Sequence, residues 1–301
     1  MSYDCVIVGG GPAGLTGALY LARFRRSILL VDDGQSRAKL IPTVANYPGV
    51  GRPPSGADLL AAMAGKLTDY PVDRESARVE AIARTPTGFA CEIGGRRVAA
   101  SRVLLATGIR DIRPELAGHD EAVRDGLLRY CPICDGYEGA GRRLCVLGPF
   151  LDAAAKARFL RSYSDQVTLA YADDPDRASL ADLAAHGVAC VAAADPPMLR
   201  RDQDGVALLT REGPWRAFDA VYPAMGATPA ATLATTLGAT IDDAGCLVVD
   251  DRNHTACRGV YAAGDVVSDL HQIVVAMGHA AVAATAIHRS LPEHPYQPAA
   301  A

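Results

Sequence analysis

Residues 3–8 read Tyr-Asp-Cys-Val-Ile-Val, a short apolar, β-branched run that predicts a strand buried on both faces of a parallel sheet. The period then changes. Residues 15–24 place apolar side chains at helical spacing, and residues 27–31 return to a continuous apolar strand that stops at Asp32-Asp33. The order strand, helix, strand is the unit from which doubly wound α/β domains are built. Further on, Ser55-Gly56-Ala57-Asp58 has capping-box spacing ahead of a helical stretch at 59–67. Between Val72 and Leu105, alternating and short apolar runs separated by turns such as Gly94-Gly95 predict several strands. Val103-Leu104-Leu105-Ala106-Thr107-Gly108 closes that series as a buried strand ending in glycine, and Pro114 marks a crossover into a second domain.

There the first order recurs, with a strand at 144–148, a helix at 152–161 and a strand at 167–171, which suggests an internal repeat. Near the end, Gly259-Val260-Tyr261-Ala262-Ala263-Gly264-Asp265 predicts a strand finishing in Gly-Asp. A helix rich in small residues follows at about 272–288, apolar on more than one side and so expected to pack on the first domain or on another subunit.

These elements fit a chain of 301 residues, half of them hydrophobic, which is room for about two domains with sizeable cores. A net charge of −4 and the absence of any run of five or more basic residues argue against nucleic-acid binding. No stretch approaches about 18 uninterrupted apolar residues, so no membrane span is expected. The chain enters its first strand without the basic segment, apolar run and cleavage site of a secretory leader, and a cytoplasmic location is expected. In a reducing compartment the eight cysteines do not read as a disulfide scaffold; a close pair among them reads as catalytic or metal-binding.

Between the first strand and helix lies Gly9-Gly10-Gly11-Pro12-Ala13-Gly14, a G-x-G-x-x-G loop with a carboxylate, Asp32, at the end of the next strand. In that setting the motif predicts a dinucleotide site. Gly9 permits the tight turn, Gly11 lets backbone approach a pyrophosphate, and Gly14 lets the helix pack closely on the strand. The helix start offers N–H groups and partial positive charge to phosphate, and Asp32 is placed to accept hydrogen bonds from a ribose.

Cys131-Pro132-Ile133-Cys134 is the one C-x-x-C, a spacing that closes a small disulfide ring and can lower a thiol pKa. A zinc site would need four ligands, commonly from two such pairs, and neither Cys145 nor His119 has the spacing to complete one; no metal is expected. Cys5, Cys91, Cys145, Cys190, Cys246 and Cys257 are expected to be small core or surface residues.

With the Gly9–Gly14 loop, Asn46-Tyr47-Pro48-Gly49, Ala106-Thr107-Gly108, Cys131-Pro132-Ile133-Cys134-Asp135-Gly136 and Gly259 through Asp265 in this order, the chain resembles the low-molecular-weight thioredoxin reductases over nearly its full length. The resemblance implies an α/β fold of two Rossmann-like, three-layer domains. A discontinuous FAD domain would comprise residues 1–113 and 241–301. An inserted domain, 114–240, would carry the dithiol and resemble a nicotinamide-binding domain. It implies a homodimer that exchanges electrons between FAD, the Cys131–Cys134 pair and a thioredoxin-like protein or small dithiol or disulfide. By the same resemblance Cys134 faces the flavin, Cys131 attacks the substrate, and Asp135 supplies or takes a proton. Gly11, Pro12 and Ala13 would lie along the FAD pyrophosphate, Asn46 near the isoalloxazine, and Asp265 at the ribityl or phosphate end. Gly9, Gly14, Asp32, Thr107, Gly108 and Gly264 complete the expected cofactor contacts. His271-Gln272-Ile273 stands beside the flavin where the family usually has Arg-Gln-Ala, with a surface or subunit-contact role the alternative for His271.

The chain departs from the family at the nicotinamide loop. Gly148 and Ala153 keep the outer positions of G-x-G-x-x-A, but Phe150 replaces the middle glycine, and Tyr171-Ala172-Asp173-Asp174-Pro175-Asp176-Arg177 stands where a basic cluster would bind a 2′-phosphate. Phe150 is expected to fill the space a pyrophosphate needs, and Asp173, Asp174 and Asp176 to face and repel the 2′-phosphate. NADPH is therefore expected to be a poor reductant, as in branches of the family that pass electrons to oxygen or take them from ferredoxin or another flavin. The alternatives are an ordinary NADPH-dependent thioredoxin reductase and, from another class, a flavin-binding redox sensor without turnover.

Overall fold

The computed structural model describes residues 2–49, 51–203, 205–267, 270–293 and 295. The chain divides into two compact units. One contains the chain up to Lys39, Ala57–Arg110 and the chain from Pro229 onward; the other contains Leu40–Gly56 and Asp111–Thr228.

The first unit is built on β1 (Ser2–Val8), β2 (Ile28–Val31), β3 (Asp73–Glu75), β4 (Val79–Thr85), β5 (Gly88–Ile93) and β6 (Arg96–Leu105), in the spatial order β3-β2-β1-β6-β5-β4. Strands β3, β2, β1 and β6 run parallel, with Val6 opposite Leu29 on one side and Val103 on the other. The ten-residue β6 has two neighbours on its far side: its first half pairs antiparallel with β5, and its end pairs in parallel with the strand Val260–Ala262. One long strand thereby joins a parallel sheet to an antiparallel meander. Between β1 and β2, helix α1 (Pro12–Arg23) starts on a proline at its first turn and buries Ala13, Leu15, Ala18, Leu21 and Ala22. It packs against the C-terminal helix Ile273–Ser290, which buries Ala276, Ala280, Ala283, Ala284 and Ile287. Alanines on that face let the two backbones approach, while each buried leucine of α1 contributes about 1.5–3 kcal/mol. Val6, Val8, Leu29, Val31, Val103 and Leu105 form the opposite core with Phe89, Cys91 and Leu247.

The second unit repeats the scheme. A parallel sheet runs in the order Ala189–Ala192, Val167–Tyr171, Leu144–Gly148, Ala220–Pro223. Helix Phe150–Leu160 covers one face through Phe150, Ala153, Ala157 and Leu160. A three-stranded antiparallel sheet (Leu199–Asp202, Gly205–Leu209, Trp215–Phe218) contributes Leu199, Val206, Leu208 and Phe218 to the other. These are two Rossmann-like, three-layer arrangements in one chain, as the sequence implied. Among the described residues no helix is long and apolar enough to cross a membrane.

Candidate active site and cofactor seat

The chemistry of the second unit centres on a four-residue helix, Pro132–Asp135. Its N-cap is Cys131, and the proline at its first position has no N–H to leave unpaired. Cys131 and Cys134 are joined in a disulfide with a Cα–Cα distance of 5.3 Å. The Cys134 amide donates to Cys131 Sγ at 3.1 Å and to the Cys131 carbonyl at 2.9 Å. Ile133 and Tyr137 flank the pair in sequence and are 56% and 78% exposed.

Asp135 ends the helix and lies mostly out of water. Its Oδ1 is buried and has no hydrogen-bond partner. Burial is the largest influence on this carboxyl and pushes its pKa up to about 6; Glu138 pushes the same way, while Arg129 and a hydrogen bond from Tyr222 oppose it. Arg129 Nη1 also donates to the Asp135 carbonyl at 2.9 Å, and the fully buried Tyr222 hydroxyl lies 3.4 Å from that carbonyl. The result is a redox-active sulfur pair next to a carboxyl that changes protonation near neutral pH, the combination required to make and break S–S bonds with proton transfer.

In the first unit the glycine loop has the shape its sequence implied. Gly9 adopts φ +106°, and a Cβ there would lie 2.3 Å from the Ala106 carbonyl oxygen; one on Gly14 would lie 1.8 Å from the Gly9 carbonyl. Only glycine satisfies either position. A Cβ on Gly11 would meet only Ser36 Oγ, at 3.3 Å, and no side chain caps the start of α1. Asp32 Oδ1 accepts from the Gly10 amide at 3.0 Å, so the carboxylate braces the loop with one oxygen. Gly264 approaches the loop closely, since a Cβ on it would lie 3.0 Å from that of Ala13, and Asp265 faces Arg37 at 3.9 Å. Thr107 Oγ1 donates to the Ala230 carbonyl at 2.7 Å, and the Ala230 amide donates to Gly108. Gln272 is the N-cap of the C-terminal helix and Ile273 its first residue, with His271 half-buried just before. Bare backbone at a helix start, ringed by these residues, fits a dinucleotide pyrophosphate. Asn46 is not part of this unit; it belongs to Leu40–Gly56, which clusters with the dithiol.

The corresponding turn of the second unit is different, and two sequence expectations are corrected there. The Phe150 ring does not project into phosphate space; it is buried in the core with Leu144, Val146 and Tyr222, because the helix starts at Phe150 and turns that side chain toward the sheet. The three aspartates do not stand free for a 2′-phosphate either. Asp173 accepts from the Phe150 amide at 2.9 and 3.1 Å, closing the helix start with the chain's own carboxylate. Asp174 pairs with Arg211 at 2.6 Å. Asp176 caps helix Arg177–Ala185 through the Ser179 amide and hydroxyl, bonds that hold its carboxyl below the usual range. The bulky exposed residue at this turn is Leu151, at 83%. Sequence reasoning missed Arg129, Tyr222 and Arg211. Arg211 lies 37 residues from Asp174, and Tyr222 sits within a plain apolar strand, so neither carried a local signal.

The family model for pyridine nucleotide-disulphide oxidoreductases matches residues 3–280. A thioredoxin reductase of Listeria monocytogenes is 29% identical, over 93% of this chain and 91% of its own length. Among solved structures, an oxidoreductase from Agrobacterium tumefaciens superposes with a TM-score of 0.83 at 28% identity, covering 96% of this chain and 98% of its own. A thioredoxin reductase from Streptococcus pyogenes superposes with a TM-score of 0.85 at 26% identity, covering 96% and 97%.

Proposed function

The chain belongs to the pyridine nucleotide-disulphide oxidoreductase family and is a thioredoxin reductase-like, FAD-dependent disulfide oxidoreductase; from that premise we propose that it exchanges two electrons between FAD, Cys131–Cys134 and a thioredoxin-like protein or small disulfide, with NADPH a weak electron partner. The reading rests above all on the disulfide at Cys131–Cys134 beside the buried Asp135 carboxyl. The weak use of NADPH rests on Asp173, whose carboxylate takes the Phe150 amide that a dinucleotide phosphate would need.

We assign FAD to Gly9, Gly11, Pro12, Ala13, Gly14, Asp32, Thr107, Gly108, Gly264, Asp265, His271, Gln272 and Ile273 in a domain of residues 1–113 and 241–301. FAD held there would supply or take up the electron pair that the dithiol exchanges. Residues 114–240 form the dithiol domain. A homodimer in the cytoplasm is part of the same proposal.

In the reducing direction, Cys131 thiolate attacks one sulfur of the substrate disulfide and forms a mixed disulfide. The departing thiolate takes the Asp135 proton. Asp135 then removes the proton of Cys134, and Cys134 attacks Cys131 Sγ, which restores the intramolecular disulfide and expels the second substrate thiolate. That thiolate takes the proton back from Asp135. Two protons and two electrons leave with the substrate, and Asp135 ends one proton short until solvent restores it. With a dithiol substrate every step runs in reverse.

The test is an anaerobic titration of the purified flavoprotein with NADPH, NADH, dithiothreitol and reduced ferredoxin, followed by flavin bleaching. Bleaching by dithiothreitol or ferredoxin, with little by micromolar NADPH, is expected. A second reading, NADPH-dependent thioredoxin reductase, is favoured by one observation: the Phe150 ring lies in the core and does not fill the place of a pyrophosphate. Rapid bleaching by micromolar NADPH establishes it in place of the first.

A further inference from the structure

The carboxyl beside the dithiol is held by two residues with no sulfur chemistry of their own. Arg129 donates from Nη1 to the Asp135 carbonyl and from Nε to the Gly126 carbonyl, at 2.9 and 3.0 Å, so one guanidinium ties the end of the dithiol helix to the turn before it. Tyr222 comes from the strand Ala220–Pro223, whose backbone registers it opposite Val146 in the parallel sheet. Its ring is fully buried, and its hydroxyl reaches up to the Asp135 main chain at 3.4 Å and is hydrogen-bonded to the Asp135 side chain and to Arg129. With Oδ1 buried and unpartnered, the carboxyl is supported on one side and bare on the other.

We propose that Tyr222 and Arg129 are positioning residues for the disulfide exchange, a clasp that holds the Asp135 carboxyl buried next to Cys134 in the chain, with Oδ1 left without a hydrogen-bond partner and so able to exchange a proton. This rests on the reading of Asp135 as the proton carrier. A buried carboxylate without partners is so costly that it stays protonated and cannot receive a proton. One that is fully hydrogen-bonded and paired stays ionised and cannot give one. One hydroxyl donor and one nearby guanidinium charge, with Oδ1 left without a hydrogen-bond partner, give a group that does both.

The charged and titratable groups facing Asp135 are few. Arg129 approaches from the segment before the dithiol helix, Glu138 from the turn after it, and Tyr222 from the strand beneath. The Cys131–Cys134 pair lies on the helix itself, and Tyr163 packs on Gly136 from beyond helix Phe150–Leu160. Arg129 and Tyr222 favour the ionised form, while Glu138 disfavours it. The clasp therefore predicts effects of opposite sign.

The experiment uses holoenzyme reduced anaerobically with dithiothreitol, desalted, and mixed with bis(2-hydroxyethyl) disulfide, an aliphatic disulfide whose leaving thiol needs a proton. The initial exchange rate is measured from about pH 5 to about pH 8, and the protonated-carboxyl infrared band of Asp135 is titrated in parallel. Tyr222→Phe removes one hydroxyl from the clasp and should raise the carboxyl midpoint by roughly half a pH unit or more. Arg129→Met should raise it further, and Glu138→Gln, an exposed change, should lower it. FAD absorbance should be unaltered in all three. Asp135→Asn should abolish the band and flatten the rate profile. If it leaves the profile unchanged, Asp135 carries no proton and the mechanism above falls. If Asp135→Asn flattens the profile while Tyr222→Phe and Arg129→Met leave the midpoint at the wild-type value, the clasp alone is overturned. Should Tyr222→Phe fail to fold, Arg129→Met decides the matter by the same midpoint.

Discussion

The stability of Asp135→Asn relative to wild type should rise with pH. The folded carboxyl has its pKa pushed from the ordinary 3.8 to about 6, chiefly by burial. Elevation means that folding opposes ionisation. The opposition is absent below the unfolded pKa, develops between 3.8 and about 6, and is complete above. At about 1.4 kcal/mol per tenfold, the full penalty on the folded state is about 3 kcal/mol at pH 8, and about half of it is already present at pH 5. Asparagine cannot ionise and carries no such term. Its amide has its own packing and hydrogen-bonding cost, but that cost is independent of pH and cancels when two pH values are compared. The stability of Asp135→Asn minus wild type should therefore increase by about 1–1.5 kcal/mol between pH 5 and pH 8. Urea unfolding at both pH values checks this, with free FAD fixed and in excess so that its linkage contribution is common to both proteins. A difference that stays constant, or shrinks toward pH 8, would refute the account of a carboxyl kept protonated by burial and would remove the proton donor from the mechanism.

Gly11→Glu should give protein that purifies without flavin while keeping its fold, read by absorbance and circular dichroism, because its side chain meets little protein but puts negative charge at the pyrophosphate. Gly14→Ala should instead destabilise the first unit by several kcal/mol, seen as a lowered unfolding midpoint, since its Cβ would sit 1.8 Å from the Gly9 carbonyl. Cys131→Ser and Cys134→Ser should each abolish disulfide exchange with a full substrate disulfide, and only the variant retaining Cys131 should form a stable mixed disulfide detectable by mass spectrometry. Asp173→Ala should strengthen NADPH binding, measured by calorimetry, by about fivefold or more, since loss of a helix cap is worth about 1 kcal/mol.

The legible parts of the sequence were those governed by local rules. The loop at Gly9–Gly14 and the buried runs of β1, β2 and β6 follow from close approach and from period, and the structure places them within a few residues of expectation. The same holds for the repeat in the second unit, where the helix expected at 152–161 spans Phe150–Leu160. What escaped was side-chain direction at a helix start. Phe150 was readable as a missing glycine, but whether its ring points to solvent or core depends on where the first helical residue falls, and a shift of two residues reverses the answer. The aspartates at 173, 174 and 176 were readable as acidic but not as already hydrogen-bonded, because their partners, the Phe150 amide, Arg211 and Ser179, lie between three and 37 residues away. Tyr222 gave no sign at all: an apolar strand with one phenol is ordinary core until the sheet sets it beneath Asp135.

The two βαβ turns of this chain carry the same architecture with opposite outcomes, and the difference is one of occupancy by its own side chains. At α1 no side chain caps the helix, its first turn holds no acid, and Asp32 bonds the loop from behind through Gly10. The N-terminal amides remain for an anion. At Phe150 the cap residue is Pro149, which has no N–H, and the first amide of the helix is already bound by both oxygens of Asp173. A pyrophosphate arriving there would have to displace a carboxylate held in place by the strand end that bears it, with Arg211 anchoring the Asp173 carbonyl and its neighbour Asp174. Displacing such a cap costs about 1–2 kcal/mol, a factor of roughly five to thirty in affinity, before any repulsion from the aspartates is counted. That is too small to forbid a dinucleotide; under the proposed function it is large enough to favour a competing electron partner. On the proposed reading the obstacle is the chain's own acid in the anion's place, not the bulk of Phe150, and a single substitution, Asp173→Ala, tests it while leaving the dithiol untouched.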